Sequence, residues 1–242
     1  MRVLAFETSS STGSIAVVEA ADDPRAAELV ASATARVSNA HGESLLPLLE
    51  SVLRSARLDL GAIDLLAVGV GPGSFTGTRI AVATAKGIAI ASGRPLRGVD
   101  AFAALAIESG HEGPIAVAID ARKSEVFVSA VRLVDRLPVL LVEPAHLPPS
   151  RAYAHLAPVL GEAFVAVGDG VALVPELAGA RRPRVGRDVP TAFAVGALAG
   201  AKHARQPIDE VDILEPLYVR PPDVTMPTRT PGLPGNSAKS TK

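Results

Sequence analysis

Residues 80–91, Ile-Ala-Val-Ala-Thr-Ala-Lys-Gly-Ile-Ala-Ile-Ala, predict a helix that is apolar on almost every side, with Lys86 as its one charge. A helix of that kind must be covered on every side. A sheet covers one flank, and another helix must cover the rest. Gly77, Ala81, Ala85 and Ala89 fall four apart and form one small-residue stripe. A second helix is predicted over residues 45–56, where Leu45, Leu48, Leu49, Val52, Leu53 and Ala56 recur at helical spacing. Its apolar arc is also wide, which makes it the natural neighbour. The pattern fits two arrangements equally: both helices wholly internal, or the pair presenting a hydrophobic face to a partner chain.

The rest of the chain alternates strand and helix. Residues 2–6 and 14–19 read as strands joined by the polar turn Glu7-Thr-Ser-Ser-Ser-Thr-Gly13, and residues 28–37 as a third strand. Ser44 stands as a helix N-cap, which puts Pro47 in the first turn, where its missing N–H costs nothing. Residues 64–70 read as a buried strand running into Gly71-Pro-Gly-Ser-Phe-Thr-Gly-Thr-Arg79, and residues 96–99 as a short strand before a helix over 101–107. A second unit begins near Pro114, with strands over 115–119, 125–134, 139–142 and 164–167 and helices over 150–160 and 191–205. This alternation predicts α/β architecture with parallel crossovers. Both units open with an apolar strand ending in a carboxylate, Glu7 and Asp120, followed by a polar turn and a second apolar strand. Residues 221–242, rich in Pro, Gly, Ser, Thr and Lys, are expected to lack structure.

Composition excludes several functions. There is no Cys, so disulfides, thiolate chemistry and Cys metal sites are ruled out. Aromatics are 3% of residues, so Ala, Val and Leu must fill the core. The formal net charge is −1, with Lys and Arg spread along the chain, which argues against a protein that grips a nucleic acid by itself. The first residues enter a strand with no signal-peptide pattern, and the longest apolar stretch is too short to span a bilayer. A cytoplasmic protein with no membrane contact is expected.

Two segments have anion-binding character. Glu7, Thr8, Ser9 and Ser10 lie in a turn whose N–H groups and hydroxyls suit a phosphate, although the same pattern serves an ordinary hairpin. The GPGSFTGTR loop precedes a helix but fits neither common nucleotide motif: Gly77 is followed by Thr78-Arg79 rather than Lys-Ser/Thr, and Thr76 replaces the third Gly of the dinucleotide pattern. Gly71 and Gly73 there are read as structural, permitting close packing and unusual backbone angles. None of the five His residues lies four from another, so no helix carries a His pair for a metal.

Glu7-Thr-Ser, His41-Gly-Glu-Ser-Leu-Leu-Pro47, the GPGSFTGTR loop, Asp120-Ala-Arg122 and Pro216-Leu-Tyr-Val-Arg220 occur in that order. With them, residues 1–220 resemble the TsaB (YeaZ) family of accessory subunits in bacterial threonylcarbamoyladenosine modification of tRNA. The resemblance implies an actin-like (ASKHA) superfold of two duplicated lobes with a degenerate nucleotide site. Residues 1–108 would form one lobe, with the helix over 191–205 packing back on it, and residues 109–220 the other. It implies a scaffolding subunit without activity of its own, partnering a TsaD-like catalytic paralogue and a TsaE-like ATPase. It further implies a homodimer when alone and contact with tRNA only through the complex. The association surface is expected on His41, Leu45, Leu46, Leu49 and Val52 of one helix and Phe75, Gly77, Arg79, Ala81, Ala85 and Ala89 of the other, so that Ala85→Arg breaks association and spares the fold. Asp120 and Arg122 are expected to pair as structural residues. The catalytic paralogue's His-x-x-x-His metal pair falls, by this alignment, on Ala101 and Leu105, neither of which binds metal. No cofactor is predicted, and nucleotide binding is left open. The competing readings are an active ATPase or small-molecule kinase of the same superfold, and a metal-dependent hydrolase.

Overall fold

The structure, a computed structural model, describes residues 1–36, 41–183 and 188–220, with the side chains of 41–44 excepted. The tail expected to lack structure lies outside the described residues. The alternating apolar runs build two sheets. The first has β1 (Arg2–Glu7), β2 (Thr12–Glu19), β3 (Glu28–Arg36), β4 (Leu65–Gly69) and β5 (Leu96–Val99), in the order β3-β2-β1-β4-β5. The second has β6 (Ile115–Arg122), β7 (Glu125–Val134), β8 (Leu137–Leu147) and β9 (Val165–Val167), in the order β8-β7-β6-β9. In each sheet the opening strand pairs antiparallel with the second and parallel with the fourth. The repeat suggested by Glu7 and Asp120 is therefore a repeat of topology, and the fold is the actin-like superfold.

Helices α1 (His41–Ala56) and α2 (Phe75–Ser92) cover one face of the first sheet. Helix α6 (Ala192–Arg205) covers the other face, where Val195, Leu198 and Ala199 pack on Val3, Ala5 and Ala16. Helix α3 (Ala101–Ser109) lies between the two sheets: Ala103, Ala104 and Ile107 join the first core, while Phe102, Leu105 and Ala106 join that of the second sheet. This double contact is why a nine-residue helix whose first seven residues are all apolar is stable there. Helix α4 (Pro149–Leu160) closes the outer face of the second sheet, with the short α5 (Pro175–Ala178) beside it.

Caps end the helices where the sequence supplies them. Ser74 Oγ accepts the Gly77 N–H (3.2 Å) at the start of α2, and Gly93 ends it at φ +65°. One boundary differs from expectation. Helix α1 starts at His41, three residues before the predicted cap Ser44, so Pro47 falls in its second turn. Ser44 is therefore not the cap.

Residues 206–220 show no periodic pattern, yet they complete the first sheet. They lie along its edge strand β5: the Glu210 N–H donates to the Leu96 carbonyl (2.9 Å), the Leu96 N–H to Asp209 Oδ1 (3.0 Å) and the Gly98 N–H to Glu210 Oε2 (2.7 Å). The segment continues past α2, where Lys86 Nζ donates to the Leu214 carbonyl (3.2 Å).

Candidate functional site

A cavity of about 650 Å³ lies between the two sheets. The first half lines it with Ser9, Ser10, Ser11, Gly73, Ser74 and Phe75, the second with Asp120, Arg122, Phe127 and Asp169, and residues 216–220 run along it. Both polar turns singled out in the sequence thus meet at one cleft.

The geometry of the first turn argues against a phosphate cradle. Glu7 is fully buried, and its Oε1 accepts the Ser9 N–H (2.5 Å), so the turn's own carboxylate occupies the place of an anion. Thr8 Oγ1 donates to the Gly77 carbonyl (2.7 Å), and the Ser9 carbonyl accepts the Ser74 N–H (2.6 Å). Ser10 Oγ bonds the Thr12 N–H and carbonyl. Of the donors expected for phosphate at residues 7–10, Thr8 Oγ1, the Ser9 N–H and Ser10 Oγ are thus engaged within the protein.

Glycines make this packing possible. A Cβ at Gly73 would overlap the Ser9 carbonyl, and a Cβ at Gly69 would overlap Glu7 Oε2. Gly71 takes φ +88°. Glu7 Oε2 has no hydrogen-bond partner, and burial pushes the Glu7 carboxyl up to about 7.

The second turn is also internally paired. Asp120 Oδ1 accepts the Arg122 N–H (2.8 Å), and Arg122 Nη1 lies 3.0 Å from Asp120 Oδ2. The Asp120 N–H donates to Asp169 Oδ1 (2.9 Å), and burial raises the Asp169 carboxyl above the usual carboxylate range. Arg122, Lys123 and Ser124 all have positive φ, giving a tight left-handed turn without glycine. Asp169 carries no sequence signal and is recognisable only from its place beside Asp120. Among the described residues no group of three or more His, Asp or Glu is placed to hold a metal ion. Ala101 and Leu105 are buried in the core between the sheets.

The two predicted helices pack together over the sheet, but with the small-residue stripe turned inward. Gly77, Ala81, Ala85 and Ala89 are buried, as are Leu45, Leu49 and Val52 opposite them. These seven residues hold the helices to each other and to the sheet, so the expectation that they meet a partner is overturned. With Ala85 wholly enclosed, so is the expectation that Ala85→Arg spares the fold. Of the other expected positions, Leu46 is 53% and Phe75 50% exposed, Arg79 is exposed, and the side chain of His41 lies outside the described residues. The outward stripe of α2 is Arg79, Ala83, Gly87 and Ile90, the last 72% exposed. At its head Phe75 stacks between Arg79 (4.9 Å) and Tyr218 (ring centroids 5.5 Å). Ala83, Gly87 and Ile90 were not singled out in the sequence, although they too fall three to four apart. Among the described residues, no helix is long and apolar enough to cross a membrane.

Comparison with known proteins agrees with this architecture. The family model described as "TsaD: tRNA N6-adenosine threonylcarbamoyltransferase" matches residues 29–203. The "tRNA threonylcarbamoyladenosine biosynthesis protein TsaB" of Escherichia coli is 29% identical over 91% of this chain and 95% of its own length. The protein of the same description from Haemophilus influenzae is 32% identical, over 54% of each chain. A solved structure from Pseudomonas aeruginosa, described as an uncharacterized protein with similarity to peptidase YEAZ, has 31% identity and a TM-score of 0.74 over 90% of this chain and 99% of that one.

Proposed function

This chain belongs to the TsaB (YeaZ) family, and on that premise we propose that it serves tRNA threonylcarbamoyladenosine biosynthesis as a non-catalytic scaffolding subunit. The observation that carries the reading is the outer stripe of α2. Ala83, Gly87 and Ile90 make an exposed, uncharged helical face, with Phe75 exposed at the head of the same helix and Leu46 exposed on α1. Small residues let another helix approach closely, and a large apolar side chain 72% in water stands to gain by being covered. The occupant is a TsaD-like catalytic paralogue, with a TsaE-like ATPase joining the complex; without them a second copy of this chain takes the same face. The transferable group is handled by the paralogue, and tRNA is met through the complex. The lobes in this assembly are residues 1–108 with α6, and residues 109–220.

The self-paired cleft supports a subunit without chemistry of its own. A nucleotide's phosphates would have to displace Glu7 from its turn and Arg122 from Asp120. The second reading, an active ATPase or small-molecule kinase, draws on the size of the cleft alone. ATP turnover by the purified chain separates the two. Co-purification with the catalytic paralogue, and a modification assay with and without this chain, tests the first directly. No complex and no dependence of modification on this chain refutes it.

A further inference from the structure

We propose that two ties at opposite ends of β7 lock the two sheets at a single angle, making the chain one rigid body. The first tie is the motif Pro216-Leu-Tyr-Val-Arg220. The Leu217 N–H donates to the Val70 carbonyl (2.8 Å), just past the end of β4, and Tyr218 stacks on Phe75 of α2. Two residues on, the chain is fastened to the other half. Val219 packs against the core formed by α3 and the second sheet, and Arg220 Nη2 lies 3.4 Å from Glu125 Oε2, at the first residue of β7. That carboxylate is also 2.8 Å from His146 Nε2 on β8. Five residues therefore span the mouth of the cleft from one sheet to the other.

The second tie is the tip of the β7–β8 hairpin. Asp135 and Arg136 turn there with φ +49° and +70°. Arg205, at the end of α6, donates to the Asp135 carbonyl (2.7 Å), and Arg136 Nε lies 3.6 Å from Asp23 Oδ2, between β2 and β3. Leu133 and Leu137 flank the tip and pack on the core of the first half. β7 has 10 residues, and at ~3.3 Å per residue about 30 Å separates its ends.

An exposed ion pair contributes little alone. The leverage comes from separation. With α3 between the sheets as the axis, a rotation that spares one tie must pull the other apart. The width of the cleft is then fixed by the chain itself. This inference is independent of which partner covers α2.

The chain has no cysteine, so Ser11→Cys and Ser124→Cys place two spin labels specifically, one on each polar turn. Pulsed dipolar spectroscopy on the full chain reads the distance between them. The expected result is one narrow peak, broadened when Arg220→Ala cuts the first tie and again when Arg136→Ala with Arg205→Ala cuts the second. The replaced side chains lie outside the hydrophobic cores, and circular dichroism checks that the fold is kept. A peak unchanged in position and width when all three arginines are replaced assigns the angle to α3 alone and overturns the proposal. So does a broad distribution in the parent chain.

Discussion

Glu7 makes the stability of this protein depend on pH in the sense opposite to that of a salt-bridged carboxylate. Burial raises its pKa from 4.5 to about 7. Between those values the folded protein keeps a proton that the unfolded chain has released, so stability falls as pH rises through that window and levels off above it. At 1.36 kcal/mol per unit the contribution amounts to about 3 kcal/mol, a large part of a typical domain's stability. Glu7→Gln keeps the shape and the acceptor for the Ser9 N–H but never ionises. Urea denaturation of both proteins, followed by circular dichroism at intervals between about pH 5 and 8, gives the difference curve, in which other titrating groups cancel. The variant should match its parent to within about 1 kcal/mol at the acid end and exceed it by up to about 3 kcal/mol at the alkaline end. Parallel profiles would show that Glu7 stays ionised, with a partner for Oε2, and refute the reasoning.

Five further outcomes are expected. Ala85→Arg puts a charge in a closed core and costs several kcal/mol, on the order of a full unfolding of a marginal domain, whereas Gly87→Arg on the outward stripe keeps the melting temperature and loses association in sedimentation. Because nothing lies within 4 Å of a Cβ at Gly87, Gly87→Ala stabilises the chain by roughly 0.5–1 kcal/mol in the same denaturation assay. Asp120→Ala removes a pair whose arginine is 70% exposed; the loss is about 0–1 kcal/mol, with modification activity intact. Titration of labelled tRNA with the isolated chain at physiological salt gives weak binding, and saturable submicromolar binding would make this subunit a tRNA recruiter.

Most strands were legible because they are short apolar runs bounded by turn residues; β8, read only over 139–142, runs over Leu137–Leu147, because Glu143 and His146 break its apolar run. The repeat was legible because Glu7 and Asp120 end equivalent strands. The orientation of α2 was not. Its inner stripe, Gly77-Ala81-Ala85-Ala89, and its outer stripe beyond Arg79, with Ala83, Gly87 and Ile90, are both uncharged, so periodicity has little polar face by which to choose. What decides is tertiary: Leu45, Leu49 and Val52 fill the inner side. The cleft was half legible. The hydroxyl turn was found, but that Glu7 folds back to take its N–H groups depends on a glycine 62 positions away, Gly69. The contribution of residues 206–220 was invisible, because pairing through Asp209 and Glu210 side chains leaves no alternating pattern.

Helix α3 belongs to neither half of the molecule alone, and this has a consequence for dissection. A fragment cut after Gly110 would carry Phe102, Leu105 and Ala106 bare on its surface, and would lack α6 over Val3, Ala5 and Ala16. The complementary fragment would lose the helix that seals Ile115, Val117 and Val131. Each piece would be sticky rather than soluble, so neither is expected to fold by itself. The two halves, however alike in topology, have to fold together.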